Sequence, residues 1–224
     1  AKVITYGKDN TADWYPTDVT FNDLGHATYT VNHKGEKIAQ VELSIPGMHN
    51  VYNSLSAFAL ATCYGVATEA IVKGIKNFTG TDRRFQFKGQ FNGVNVIDDY
   101  AHHPTEIQAT INSARGTKLN KLWIMFQPHT YTRTYNHLDD FAKVLSEADH
   151  VILLDIYASR EKDTGLVSSK DLRDKIEALG GVVTYCPTFN DAEKYAVDNC
   201  RKGDMLITMG AGDVYKIGEK LVSK

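Results

Sequence analysis

Residues 97 to 106 read IDDYAHHPTE, which places two carboxylates, a phenol and two imidazoles in one short run ahead of a proline. Three chemistries could use such a run. A metal centre needs Asp and His side chains that converge on one ion. His102 and His103 are adjacent, so in extended backbone they point opposite ways and cannot readily share an ion, although Asp99 and His102 could. A nucleotide site needs a carboxylate that accepts two hydrogen bonds from a ribose diol, and one Asp at a strand end can do that. The third reading is a plain strand end, with Asp98 and Asp99 capping the next turn and both histidines in solvent.

A second run, QPHTYTRT over residues 127 to 134, spaces His129 and Arg133 four apart. One turn of helix would bring them to a common face. A guanidinium fork beside an imidazole suits a small carboxylate, and a solvated basic loop is the alternative. Arg83 and Arg84 in TGTDRRF could serve phosphate in an interdomain cleft or simply be solvated. The GAGD of residues 210 to 213 lacks the third glycine of a dinucleotide fingerprint and follows the last strand, so it reads as a tight strand-to-helix turn with a weak claim to an anion. No G-x-x-x-x-G-K-[ST] motif occurs, so a phosphate-cradling loop, if ATP is used, lies outside these 224 residues.

The elements that must position these groups follow from periodicity. AKVITYG reads as a buried strand and gives the chain an abrupt start, as expected of a fragment or an excised domain. HATYTVNHKGEKIAQVELSI alternates about Lys34-Gly35, with Ala39, Val41, Leu43 and Ile45 on one side, and predicts a half-buried hairpin. A helix follows with Asn50 as N-cap and Val51, Leu55, Phe58 and Thr62 on one stripe. A second helix is capped by Thr68 and turns Ile71, Ile75 and Phe78 inward. A boundary near residues 79 to 82 divides the chain into 1–80 and 81–224.

Beyond it, strands and helices alternate. A hairpin turns at Asn92-Gly93. Pro104 starts a helix that carries Ile107, Ile111 and Ala114. KLWIMFQ, HVILLDIY, VVTYC and MLITMG are strands, and helices centre on Phe141, Leu172 and Tyr195. Ser168 with Asp171 approximates a capping box on the middle one, which runs through Leu179 to Gly180. This pattern predicts an α/β fold with a doubly wound, mostly parallel sheet. In such sheets ligands bind beyond the carboxyl ends of the strands. DDYAHHP, QPHTYTRT, YASREKDTG and GAGD each follow a strand, so four polar segments are predicted to meet at one sheet edge.

Composition narrows the functions. Hydrophobic residues make up 42% and charged residues 23%, and the net charge of −2 offers nothing to nucleic acid or an anionic membrane. The three cysteines, Cys63, Cys186 and Cys200, form no CxxC and are expected as reduced, buried thiols in a cytosolic protein. No stretch approaches the ~18 apolar residues of a membrane span.

GMHNVYNSLSAFALA, FTGTDRRF, DDYAHHPTEI, FQPHTYTRT and MGAGD occur in an order and spacing that resembles the Mur ligases over nearly the whole chain. The resemblance implies the second half of an α/β ATPase-type central domain over 1–80 and a whole Rossmann-like C-terminal domain over 81–224. It implies an ATP-dependent, cytoplasmic ligase of peptidoglycan precursor synthesis that joins L-alanine to UDP-N-acetylmuramate through an acyl phosphate. The UDP-binding domain, the P-loop and the ligands of magnesium would lie elsewhere, and the chain alone would be inactive. His49, Asn50 and Asn53 would line the adenine, and Arg84 and Asp99 would reach ATP, Asp99 at the ribose. Tyr100 and His102 would border the amino acid, and His129 and Arg133 would hold its carboxylate. Arg84 and His102 are the catalytic candidates, with no metal ligand in this chain. Many members carry Arg where this chain has Thr130. The residues alone leave two other functions open: a metal-dependent phosphoesterase built on Asp98, Asp99, His102 and His103, and a non-catalytic nucleotide or amino-acid sensing module.

Overall fold

The computed structural model describes residues 3 to 223, which divide into two compact units. The first holds residues up to Gly80 together with Gly116–Lys118, and the second holds Thr81–Arg115 and the described residues from Leu119 onward.

In the first unit, β1 (Trp14–Phe21), β2 (His26–His33) and β3 (Glu36–Pro46) form an antiparallel meander in that order. Lys34 and Gly35 both take positive φ, 51° and 91°, which is the turn a two-residue hairpin requires. The face predicted from the alternation is the buried one: Val41 and Leu43 join Trp14, Tyr29 and Val31 against Val51, Leu55 and Phe58. β1 is an element that the sequence reading missed. Its Pro16 and a break in register between Thr17 and Thr20 hide the alternation, and an edge strand tolerates both. The described part of AKVITYG, residues 3 to 7, does not form a buried strand. Residues 1 and 2 lie outside the described residues, Val3 is 78% exposed, and only Tyr6 makes a bridge, to Trp14.

Helix α1 (Met48–Cys63) begins three residues earlier than predicted. Gly47 is its N-cap at φ 99°, so Asn50 lies inside the first turn and donates to the Pro46 carbonyl at 2.7 Å. Val51, Leu55 and Phe58 are buried as predicted, whereas Thr62 is exposed, and so is Cys63 at the end of the helix, unlike Cys186 and Cys200, which are buried as expected. Helix α2 (Thr68–Asn77) is preceded by Ala67 as N-cap, and it buries Ile71. Phe78 falls just past its end, where the chain turns extended, and is exposed.

The second unit is built on β4 (Gln86–Phe91), β5 (Val94–Asp99), β6 (Leu122–Phe126), β7 (His150–Leu153), β8 (Val183–Tyr185) and β9 (Met205–Met209). Their order in the sheet is β4-β5-β9-β6-β7-β8, with β4–β5 antiparallel and every other pair parallel. The β4–β5 turn is Asn92-Gly93, with φ 49° and 79°. Side chains alternate strictly between the two faces. Ile97, Ile124, Phe126, Leu153 and Ile207 point to a core closed by α3 (Pro104–Arg115), α5 (Leu138–Leu145) and α6 (Ser169–Ala178). Val96, Trp123, Met125, Ile152 and Leu206 point to a core closed by α7 (Phe189–Asn199) and α8 (Tyr215–Val222). The short α4 (Tyr131–Asn136) stands between β6 and α5. The sheet is therefore covered on both sides, which is why its inner strands read as continuous apolar runs. The Ser168–Asp171 capping box forms, whereas Leu179 is 58% exposed, since the helix ends one residue before it. No described helix is long and apolar enough to cross a membrane.

Candidate functional site

The four polar segments meet at the carboxyl edge of the six-stranded sheet. β6 and β7 part after their last paired residues and join again further on. The Tyr157 amide donates to the Pro128 carbonyl at 2.8 Å, and the Thr130 amide donates to the Tyr157 carbonyl at 2.9 Å. The loop after β9 reaches β5 through the Gly210 amide and the Asp99 carbonyl, 3.1 Å apart. Two glycines permit this closeness. A Cβ on Gly210 would lie 2.6 Å from the Gln127 carbonyl oxygen, and one on Gly212 would lie 2.6 Å from Gln127 Oε1. GAGD is thus a close-approach turn, and the helix after it starts only at Tyr215.

DDYAHHP is organised from within. Asp99 is 5% exposed, and its carboxylate accepts from the Phe85 amide at 2.9 Å, the Ala101 amide at 2.8 Å and Thr110 Oγ1 at 3.1 Å. Burial pushes its pKa up, while these bonds and the charge of Arg84 oppose the rise. Both of its oxygens tie the DRRF loop and α3 to β5, which leaves about one of the carboxylate's four acceptor sites for a ribose hydroxyl. Asp98 is equally committed. It pairs with Arg83 Nε at 2.9 Å and accepts from Thr208 Oγ1 at 2.8 Å.

Arg83 is the residue that sequence reasoning passed over in favour of its neighbour. Besides Asp98, it donates to the Gly210 carbonyl at 2.7 Å, and its guanidinium lies between the rings of Tyr100 and Tyr215, 4.8 Å and 4.5 Å from their centroids. It therefore locks three loops together. Arg83 and Phe85 both take positive φ, 58° and 45°, and hold Arg84 between them with its side chain exposed. Nothing in the spacing of DRRF tells the buried arginine from the exposed one.

The two histidines separate as adjacency requires. The His103 ring meets His137, with centroids 4.8 Å apart, and the His102 ring sits 5.3 Å from Tyr100 and 5.9 Å from His129. The metal reading is thereby corrected: Asp98 and Asp99 serve other partners and the imidazoles diverge. Among the described residues, no three His, Cys, Asp or Glu side chains are placed to hold an ion. Glu106 fixes the turn between β5 and α3 by accepting from the His102 and His103 amides at 3.0 Å and 3.2 Å. Burial pushes the Glu106 carboxyl up, but these N–H groups and nearby positive charge hold it below its ordinary value. The spacing of His103 to Glu106 is that of a capping box, a signal available in the sequence but not drawn from it.

His129 and Arg133 come together as their spacing predicted. Thr130 is the N-cap of α4, and Arg133 lies on the first turn, 3.1 Å from His129 Nδ1. A guanidinium only donates, so Nδ1 accepts and the neutral ring carries its proton on Nε2. Burial, then the charges of Arg133 and His102, press the His129 pKa down and favour that neutral form. His102 is the reverse case. Its Nδ1 lies 2.9 Å from the Tyr100 carbonyl, which only accepts, so in the neutral ring the proton sits on Nδ1 and Nε2 keeps its lone pair. One imidazole thus offers an acceptor and the other a donor, on rings whose centroids are 5.9 Å apart and next to a guanidinium. That set complements an α-amino acid, whose ammonium donates and whose carboxylate accepts.

The remaining predicted residues lie in the first unit, on the opening turns of α1. Asn53 Nδ2 donates to Asn50 Oδ1 at 3.1 Å, with His49 beside them.

The chain is similar to known proteins over its full extent. Residues 83–212 match the family described as Mur ligase, glutamate ligase domain, and residues 1–61 match the Mur ligase middle domain. A UDP-N-acetylmuramate–L-alanine ligase of Agathobacter rectalis is 51% identical over 223 residues, which are 100% of this chain and 49% of the relative. The crystal structure of UDP-N-acetylmuramate-alanine ligase from Thermotoga maritima superposes with a TM-score of 0.83 at 26% identity, over 98% of this chain and 47% of that one. A murein peptide ligase from Psychrobacter arcticus gives a TM-score of 0.66 at 27% identity, over 98% and 45%. The chain spans about half the length of the curated relatives it matches. Two domain types of one enzyme family follow each other here in a single polypeptide: this chain belongs to the Mur ligase family.

Proposed function

We propose that this chain is the C-terminal half of an ATP-dependent, cytoplasmic ligase that joins L-alanine to UDP-N-acetylmuramate. In this reading, residues 1–80 are the later part of the central ATP-binding domain and residues 81–224 are the amino-acid domain. The observation that carries the reading is the trio of His102, His129 and Arg133 at the sheet edge.

The chemistry assigns each of the three a task. ATP converts the muramoyl carboxylate to an acyl phosphate. The alanine carboxylate is gripped by the Arg133 fork and by His129 Nε2–H. The alanine ammonium faces His102, whose Nε2 lone pair takes a proton and frees the amine. The amine attacks the acyl carbon through a tetrahedral intermediate, and phosphate departs. Tyr100 borders the alanine methyl group and limits side-chain size. Arg84, exposed beside this loop, is suited to phosphoryl oxygens. Asp99 holds the loop that presents them. His49, Asn50 and Asn53 on α1 form the adenine wall. Positioning and charge stabilisation do most of the work. Magnesium that accompanies ATP would find its ligands, like the P-loop, in other regions of the ligase.

The test is ADP release by the complete ligase that contains this chain, supplied with UDP-N-acetylmuramate and L-alanine. Release should depend on alanine, and Arg133→Met should raise the KM for alanine by at least about tenfold, the value of one charge-assisted fork. Alanine-independent release, or an unchanged KM in the variant, would overturn the assignment. The 224-residue chain alone should release no ADP.

A further inference from the structure

The loop after β7 supplies a group that neither the motif pattern nor the tasks above include. The Tyr157 ring stacks on the His129 ring, with centroids 5.6 Å apart and planes 26° apart. Its backbone brackets His129 from both sides through Pro128 and Thr130, so ring and main chain hold the same residue. Four residues later, Glu161 reaches the start of α4 and accepts from the Thr132 amide at 2.9 Å. The strap between them turns at Ser159, φ 56°, and closes with the Glu161 amide donating to the Ala158 carbonyl at 3.0 Å. The strap therefore grips the HTYTR segment at two points, one on the imidazole and one on the helix that carries Arg133. Without it, the His129 ring would keep the Arg133 contact at Nδ1 and the tilted His102 ring, 5.9 Å between centroids, and would be freer to turn about its χ angles.

We propose that Tyr157, backed by Glu161, is a positioning residue that fixes the His129 ring so that Nδ1 meets Arg133 and Nε2–H faces the amino-acid carboxylate. The proposal rests on the amino-acid reading of that site, and it adds a determinant of the site's geometry from a loop outside both motifs. Tyr157 touches neither reacting atom; it acts through His129. Tyr157 is 38% exposed and belongs to neither core, so replacing it spares the core.

The experiment uses the 224-residue chain, with ring resonances of His129 followed by NMR across a pH titration and then across added L-alanine. Tyr157→Leu should move the His129 titration midpoint upward, because the ring loses its cover and its fixed contact with the arginine. It should also weaken the alanine response by about two- to tenfold, the range for one lost aromatic pair. Tyr157→Phe, which keeps ring and backbone, should restore both values. Glu161→Ala, at a half-buried position outside both cores, should weaken the alanine response without unfolding the domain. A His129 midpoint and an alanine response both unchanged in Tyr157→Leu would overturn the proposal. A midpoint that moves while the parent chain shows no response to alanine would overturn the amino-acid reading and leave the positioning of His129 in place.

Discussion

Arg83 offers the sharpest test of how this site is held together. Arg83→Met removes the guanidinium while keeping the length and apolar stem of the side chain. Asp98, 1% exposed, is then left with Thr208 Oγ1 on one oxygen and no cation on the other. Breaking a buried pair by removing one partner costs about 3–5 kcal/mol. The Arg83 side chain is 22% exposed, so water screens the pair in part and the lower end applies, about 3 kcal/mol with the lost bond to the Gly210 carbonyl included. For a chain of this size that is a fall in Tm of roughly 6–12 °C. The backbone strain at φ 58° cancels in the comparison, since Met pays it as Arg does. Trp123 lies in the second unit and Trp14 in the first, so fluorescence in a Trp14→Phe background follows the relevant unit alone. Adding Asp98→Asn completes a double-mutant cycle, for which a coupling of about 1.5–3 kcal/mol is expected. A loss below about 1 kcal/mol, or additive single changes, would refute the view that Arg83 and Asp98 lock the loops.

Three further outcomes follow from the same geometry. Asp99→Asn cannot accept from the Phe85 and Ala101 amides and Thr110 at once, so denaturant unfolding should show a loss of about 1–3 kcal/mol. Thr130 is β-branched and sits at φ 66°, ψ 145°, so Thr130→Gly should stabilise the second unit by about 1 kcal/mol in the same assay, strain relief outweighing a weakened N-cap. The pKa of His129 is lowered in the folded chain, so the native state binds fewer protons there than the unfolded state does. Its contribution to stability is therefore intact above the ordinary imidazole pKa and is lost as pH falls below it, and His129→Gln should flatten that part of a pH–stability curve.

While the edge strand β1, broken by Pro16, escaped it, the sequence by itself determined most of the elements, the main apolar faces they bury and the edge at which the chemistry gathers. Each of these is written in local order. Asn92-Gly93 and Lys34-Gly35 dictate turns through their tolerance of positive φ, and continuous apolar strands announce a sheet covered on both sides. His129 and Arg133 could be paired from spacing because α4 is local, and the opposed directions of His102 and His103 follow from adjacency alone. Tertiary structure decided which polar groups face outward and which serve the fold. Asp98 and Asp99 look like ligand-binding carboxylates in sequence, yet both are absorbed by partners brought from distant positions, Arg83 and Thr208 in one case and Phe85 and Thr110 in the other. Arg83 and Arg84 are chemically identical neighbours, and Asp98, the Gly210 carbonyl and the rings of Tyr100 and Tyr215 hold the first while the second stays exposed. Tyr157 reaches His129 because β6 and β7 lie side by side in the sheet, a pairing between segments some thirty residues apart that no local pattern encodes. A side chain's partner depends on which strands become neighbours, and strand order is a property of the whole packed sheet.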